Sequence, residues 1–220
     1  MRVDDARMKV AAEAPRAVGI LGAGRFGAAL ARLCRDAGIE VTVASSGDDP
    51  AAACAADVVI LAIPLGRFRT LPAELLRGRL VVDVMNHWWE IDGARPDLED
   101  PTTSTSETVA AFLEGARVVK ALNHASVWEL ENLGRPPGDP DRRGIAVAAD
   151  DADDKAAVAA LVDAIGFDPV DAGPLAAGVM FEPPAEIFGS DATAEEIRTM
   201  LDRFPRSQRG RVLARARGEA

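Results

Sequence analysis

The chain has 220 residues, 48% of them apolar and 27% charged, and a formal net charge of -10. That length supports one domain, or a domain with a small companion, and the acidic balance excludes a surface for nucleic acid or anionic membrane. No apolar run approaches the roughly 20 residues that span a bilayer, and the opening segment MRVDDARMKVAAEAPR lacks the unbroken apolar stretch of a secretory signal.

Residues 1–15 read as a flexible extension, after which hydrophobic periodicity gives alternating strands and helices. Residues 17–21 form a short apolar strand running into glycines, and 26–37 carry apolar residues at helical spacing until Gly38 stops them. A valine-rich strand over 40–44 precedes a continuous apolar strand over 57–63, ended by Pro64. A short helix over 71–76 leads to a strand over 80–84. Ser104 and Glu107 have the spacing of a capping box, which predicts a helix over 105–113 before the next strand, 117–122. The remainder repeats the grammar: strand 145–148, amphipathic helix 153–165, strand 167–171, and helical segments after Leu175 and over 192–204, the last capped by Asp191 or Thr193. The proline- and glycine-rich stretch 134–144 reads as a mobile loop.

This alternation predicts an α/β fold, a doubly wound parallel sheet of Rossmann type with a short C-terminal α/β extension. Only about a dozen residues separate the strand ending at Ala44 from the one starting at Asp57. A complete mononucleotide half would place a helix, a strand and a helix there, so the usual third strand is expected to be missing. Cys34 and Cys54 fall in apolar helical patterns without metal spacing and read as buried free thiols, with no metal site.

Gly22-Ala23-Gly24-Arg25-Phe26-Gly27 follows the first strand and opens the first helix, the context in which GxGxxG signifies a dinucleotide. Gly22 permits the turn, Gly24 lets a pyrophosphate approach the backbone, and Gly27 allows helix and strand to pack closely. At the end of the second strand an acidic residue would hold the ribose hydroxyls of NAD. The chain has Ser45-Ser46 there, which favours the phosphate of NADP over NAD, with Asp48 slightly later. The dinucleotide-binding part is expected over 16–124, and 125–220 is expected to complete a substrate cleft.

Five segments in order, GILGAGRFG (19–27), DVVILAIP (57–64), VVDVMN (81–86), VVKALNHASVWEL (118–130) and VDAGPL (170–175), resemble the F420-dependent NADP oxidoreductases. They are similar also to the related cytosolic domain of the six-transmembrane ferric reductases. The resemblance implies hydride transfer between NADP and the deazaflavin coenzyme F420, or a flavin as in the membrane relatives, in a cytoplasmic protein. By position it assigns Ala23, Gly24, Arg25 and Phe26 to the pyrophosphate, Ser45 and Ser46 to the 2′-phosphate, Ile63 and Pro64 to the nicotinamide ribose, and Asn86 to the nicotinamide edge. Leu122 to Val127 would floor the stacked rings. Family members commonly carry Ser-Arg where this chain has Ser45-Ser46. Loss of a hydrogen bond to a charged group corresponds to roughly ten- to a hundredfold in affinity.

Weighed singly, Asn123 could bond a carboxamide or ring carbonyl, and His124 could stabilise charge or pass a proton, or instead cap the next helix. Ser126 reads as an N-cap or a substrate contact, and Trp128 as core. His87 and Trp88, with Trp89, form either a stacking wall for a flat acceptor or a packing surface for the C-terminal helices or a dimer partner. The arginine-rich tail over 203–217 reads as a solvated helix face or a contact for an acidic ligand tail. Hydride transfer needs positioning more than an acid or base, and no Ser-His-Asp, HExxH or Cys-His arrangement stands out. The expected function is therefore an NADP-dependent reductase with a deazaflavin or similar acceptor. A flavin or other small-molecule reductase and a non-catalytic dinucleotide sensor are the alternatives.

Overall fold

Among the described residues seven strands form one sheet, the inner ones drawn from runs rich in Val, Ile and Leu: β1 Ala17–Leu21, β2 Glu40–Ala44, β3 Val58–Leu61, β4 Leu80–Asp83, β5 Arg117–Ala121, β6 Gly144–Ala148 and β7 Asp168–Gly173. The computed structural model describes residue 8 and residues 12–218, so most of the extension expected over 1–15 lies outside the described residues. Between the strands run α1 Arg25–Asp36, α2 Ala51–Cys54, α3 Ala73–Leu76, α4 Trp89–Asp92, α5 Thr105–Phe112, α6 Val127–Asn132 and α7 Ala152–Ala164. α8 Ala194–Arg203 and α9 Gln208–Arg217 follow. Among the described residues, no helix is long and apolar enough to cross a membrane.

The sheet order is β2-β1-β3-β4-β5-β6-β7, which is the Rossmann order with the strand beyond β2 removed. The one-turn α2 occupies the interval instead and packs on β1 at Gly19, where a Cβ would lie 1.8 Å from the carbonyl oxygen of Ala53. All pairings are parallel except β5 with β6, which is antiparallel. The expected doubly wound parallel sheet is present, with that one antiparallel junction where the C-terminal extension joins it. No crossover helix returns the chain to the start of β5; α6 lies against α1, and the 134–144 loop brings the chain in from the other end. Nor does that loop hang free: buried Arg142 at its end donates to Asp163 and Asp168.

Side-chain alternation in β3 shows how both faces are covered. Val58 and Ile60 join Ile20, Leu30, Val119 and Leu161 in one buried cluster, while Val59 and Leu61 join Phe68, Leu76, Val109 and Leu113 in the other. Each fully buried aliphatic side chain contributes roughly 1.5–3 kcal/mol. A third cluster, with Phe181, Ile187, Ile197 and Leu201, seats α8 on β6 and β7. Ser104, Ser126 and Thr193 each cap a helix with a complete capping box, so the expected caps of α5 and α8 are present. Cys34 and Cys54 are buried free thiols. Trp128 departs from expectation: it is 57% exposed on α6, because Leu130, not Trp128, is the residue that α6 turns into the core.

Candidate functional site

β1 delivers the chain to its turn at the C-terminal edge of the sheet, where ligands bind in open α/β folds. Gly22 has φ 123° and a Cβ on it would meet the carbonyl oxygen of Ala62 at 2.2 Å; on Gly27 it would meet that of Gly22 at 2.1 Å. Both glycines are therefore required by packing. Gly24 differs: its backbone is extended and a Cβ there would meet nothing within 4 Å. The space over Gly24 is what a pyrophosphate would fill. As N-cap, Gly24 also brings no side chain to the first N–H groups of α1, leaving them for an anion.

A cavity of about 620 Å³ opens at this turn. Its floor is Leu21 to Gly24; one wall is the end of β2, Ala44 to Asp48 with Pro50; the other is Ala62 to Pro64 with Arg67, Thr70, Leu71 and Pro72. Gly22, Ala23, Gly24, Ser45, Ser46, Ile63 and Pro64 thus meet in one cavity, and Gly27 supports it from beneath. Arg25 and Phe26 do not line it: Arg25 is exposed at the start of α1, and Phe26 packs against the core. On the β2 wall Asp48 Oδ2 accepts from the Ser45 hydroxyl at 2.5 Å and from the Ser45 N–H at 2.8 Å. Those two bonds hold the Asp48 carboxyl below its ordinary value.

The remaining expected residues lie beyond this cavity. Asn86 and Asn123 bond each other across the ends of β4 and β5, Asn123 Nδ2 donating to Asn86 Oδ1 at 3.0 Å and Asn86 Nδ2 to the Asn123 carbonyl at 2.7 Å. Asn123 Nδ2 also donates to the Phe181 carbonyl, so its NH2 is used within the protein, while its buried Oδ1 has no hydrogen-bond partner among the described residues. Leu122, fully buried, takes φ 63°, a strained value for a residue with a Cβ. His124 is 4% exposed, its Nε2 accepts from the Ala146 N–H, and burial pushes its imidazole down to about 4, which favours the neutral ring. Ser126 caps α6, its hydroxyl accepting from the Glu129 N–H. His87 donates to the Gly93 carbonyl and borders a separate cavity of about 290 Å³ with Glu182 and Arg209. Trp88 stacks edge-on against Phe188 and stays 41% exposed, beside the more exposed Trp89 and Ile91.

Two features escaped the sequence. Arg67 and Thr70 form a wall because the 3₁₀ segment Leu65–Thr70 buries Leu65 and Phe68 and turns Arg67 and Thr70 outward. Lys120 and Asp83 form a fully buried ion pair at 3.3 Å beneath the asparagine pair. Lys120 also donates to the Met85 carbonyl at 2.6 Å and stands 3.9 Å from Glu182; Asp83 accepts from Ser106. The readable signal was a charge inside each apolar strand run, VVDV and VVKA.

No protein-family model matches the chain. The metalloreductase STEAP3 of Rattus norvegicus is 30% identical over 190 residues, covering 79% of this chain and 37% of that protein. The chain thus spans well under half the length of the curated relative. Among solved structures, a hypothetical protein of Sinorhizobium meliloti aligns with TM-score 0.68 and 27% identity, over 80% of this chain and 93% of that one. A protein of Arthrobacter sp. assigned as an F420-dependent NADP-reductase aligns with TM-score 0.60 and 22% identity, over 87% and 92%. By sequence the chain is a relative of the metalloreductase STEAP3, and by fold it is a Rossmann-type α/β protein like these solved structures, in line with the resemblance that its motifs carry.

Proposed function

We propose that the chain is an NADP(H)-dependent oxidoreductase that transfers hydride between the nicotinamide and a flat acceptor of the deazaflavin type, coenzyme F420. The observation that carries this reading is the turn: Gly22 and Gly27 are consumed by packing, while Gly24 keeps open backbone over a cavity lined by strand ends. The dinucleotide supplies the chemistry when bound, its reduced nicotinamide giving one hydride to the acceptor ring, which takes up one proton from solvent.

The chain's own part is to hold and orient. Gly22 to Gly24 and the first turn of α1 would hold the pyrophosphate, Ile63 and Pro64 the nicotinamide ribose, and the remaining hydrogen-bonding capacity of Asn86 the nicotinamide edge. Trp88 and Trp89 offer exposed indole faces for a flat acceptor. Burial of His124 accords with chemistry that needs alignment and no side-chain acid.

A flavin is the second reading. Metal reduction takes single electrons whereas nicotinamide gives a pair, so kinship with a metalloreductase favours an acceptor that can divide the pair. Titration with NADPH, followed by mixing with F420 or FMN under absorbance detection, separates these readings. Bleaching of F420 supports the first, and oxidation of NADPH on adding FMN alone supports the second. Binding without turnover of either acceptor would leave a dinucleotide sensor.

A further inference from the structure

Each wall of the cavity carries one charged residue, and the two have opposite signs. Asp48 is the anion, on the β2 wall; Arg67 is the cation, on the facing wall. Arg67 is exposed, and no described residue pairs with its guanidinium, whereas its neighbour Arg69 is taken by Asp97. On the β2 wall the donors are depleted. The Ser45 hydroxyl has one proton and gives it to Asp48, and the Ser45 N–H goes to the same oxygen. A phosphate presents acceptors and negative charge, so it needs donors and a cation. Among its side chains the β2 wall retains one free donor, the hydroxyl of Ser46, beside a full carboxylate that repels phosphate.

We infer that Arg67, not the end of β2, reads the 2′-phosphate of the dinucleotide, with Asp48 holding that phosphate away from the β2 wall. The inference rests on the proposed function, because it assigns part of the same cofactor site. Arg67 presents a planar fork of donors suited to phosphate, and it stands on the wall that Leu65 and Phe68 anchor in the core. This arrangement transfers the discrimination between NADP and NAD from the second strand to the segment after the third.

Calorimetric titration of the full chain with NADPH and with NADH tests it, in the parent, Arg67→Ala and Asp48→Asn proteins. Loss of a charged hydrogen-bonding partner predicts NADPH weakened about ten- to a hundredfold by Arg67→Ala, with NADH changed less than about threefold. Asp48→Asn should tighten NADPH more than NADH. Equal weakening of both nucleotides by Arg67→Ala, or of neither, would overturn the inference while leaving the functional reading intact. A parent chain that binds neither nucleotide would instead defeat the functional reading itself. Circular dichroism checks that the exposed substitutions leave the fold unchanged.

Discussion

The imidazole Nε2 of His124 accepts a hydrogen bond from the backbone N–H of Ala146 at 3.0 Å, at the one junction where the sheet runs antiparallel. β5 pairs with β6 only through Lys120 with Ala148 and Ala121 with Val147, after which the chain turns at Leu122. The Ala146 N–H would otherwise be a buried donor without a partner, so the side chain completes what the ladder leaves unfinished.

This geometry has a pH consequence. The folded protein holds His124 at about 4, below the ordinary value of about 6.5, so the unfolded chain binds the extra proton first. The stabilisation is full above pH 6.5 and is lost as pH falls from there through 4, amounting to roughly 3 kcal/mol when complete. Urea denaturation at steps across that window should show a steeper fall for the parent than for His124→Gln, whose side-chain oxygen can still accept from Ala146. Parallel curves would show that His124 does not control the loss.

The buried Lys120–Asp83 pair makes a different prediction. Lys120→Met leaves Asp83 and Glu182 buried without their cation, at a cost of roughly 3–5 kcal/mol, the usual figure for breaking such a pair from one side. Adding Asp83→Asn should recover part of it, since the amide oxygen can still accept from the Met85 N–H while its NH2 donates to the Ser106 hydroxyl oxygen. Denaturation midpoints of the single and double variants decide the matter. A single variant within about 1 kcal/mol of the parent would mean that water or rearrangement already neutralises the carboxylates.

The fold was legible where one residue pattern admits one geometry. Apolar runs, the GxGxxG turn and the capping box at Ser104 each fixed an element, and the short interval after Ala44 disclosed the missing strand. The orientation of β6 was not legible, because it follows from the path of the connection after α6, which is held by contacts distant in sequence such as Arg142 with Asp163 and Asp168. For the site, the floor contributed by the glycine turn was readable because the positive φ of Gly22 and the close packing at Gly22 and Gly27 limit those positions to glycine. Arg67 was not, since its exposure follows from which neighbours are buried. The place of His124 was not legible, because a histidine beyond a strand end has the same sequence signature whether it faces a cleft or closes a ladder.

Ser126 separates structural from catalytic roles. Its hydroxyl accepts from the Glu129 N–H and its own N–H donates to the Glu129 carboxylate, a complete cap for a six-residue helix. Ser126→Ala should cost about 1 kcal/mol in denaturation while leaving NADPH affinity within about twofold, and Ser126→Asp should restore most of the stability. A variant of undiminished stability that loses turnover with an accepted acceptor would return Ser126 to the substrate site.

Gly24 and Gly27 are three residues apart in one motif, yet substitution should break different things. Alanine at Gly27 would force its Cβ to 2.1 Å from the Gly22 carbonyl oxygen, which must move with the turn and the start of α1. Gly27→Ala should therefore lower the melting temperature as well as binding. Valine at Gly24 has open space within the protein and an ordinary backbone conformation, so Gly24→Val should melt within a few degrees of the parent. Its side chain would nevertheless fill the approach over the turn, and binding of NADPH and NADH should fall together beyond detection. Thermal melts paired with calorimetric titration read both effects in the same samples. Tight nucleotide binding by Gly24→Val would place the pyrophosphate elsewhere, and a melting loss equal to that of Gly27→Ala would mean that the turn is held by packing at all of its glycines.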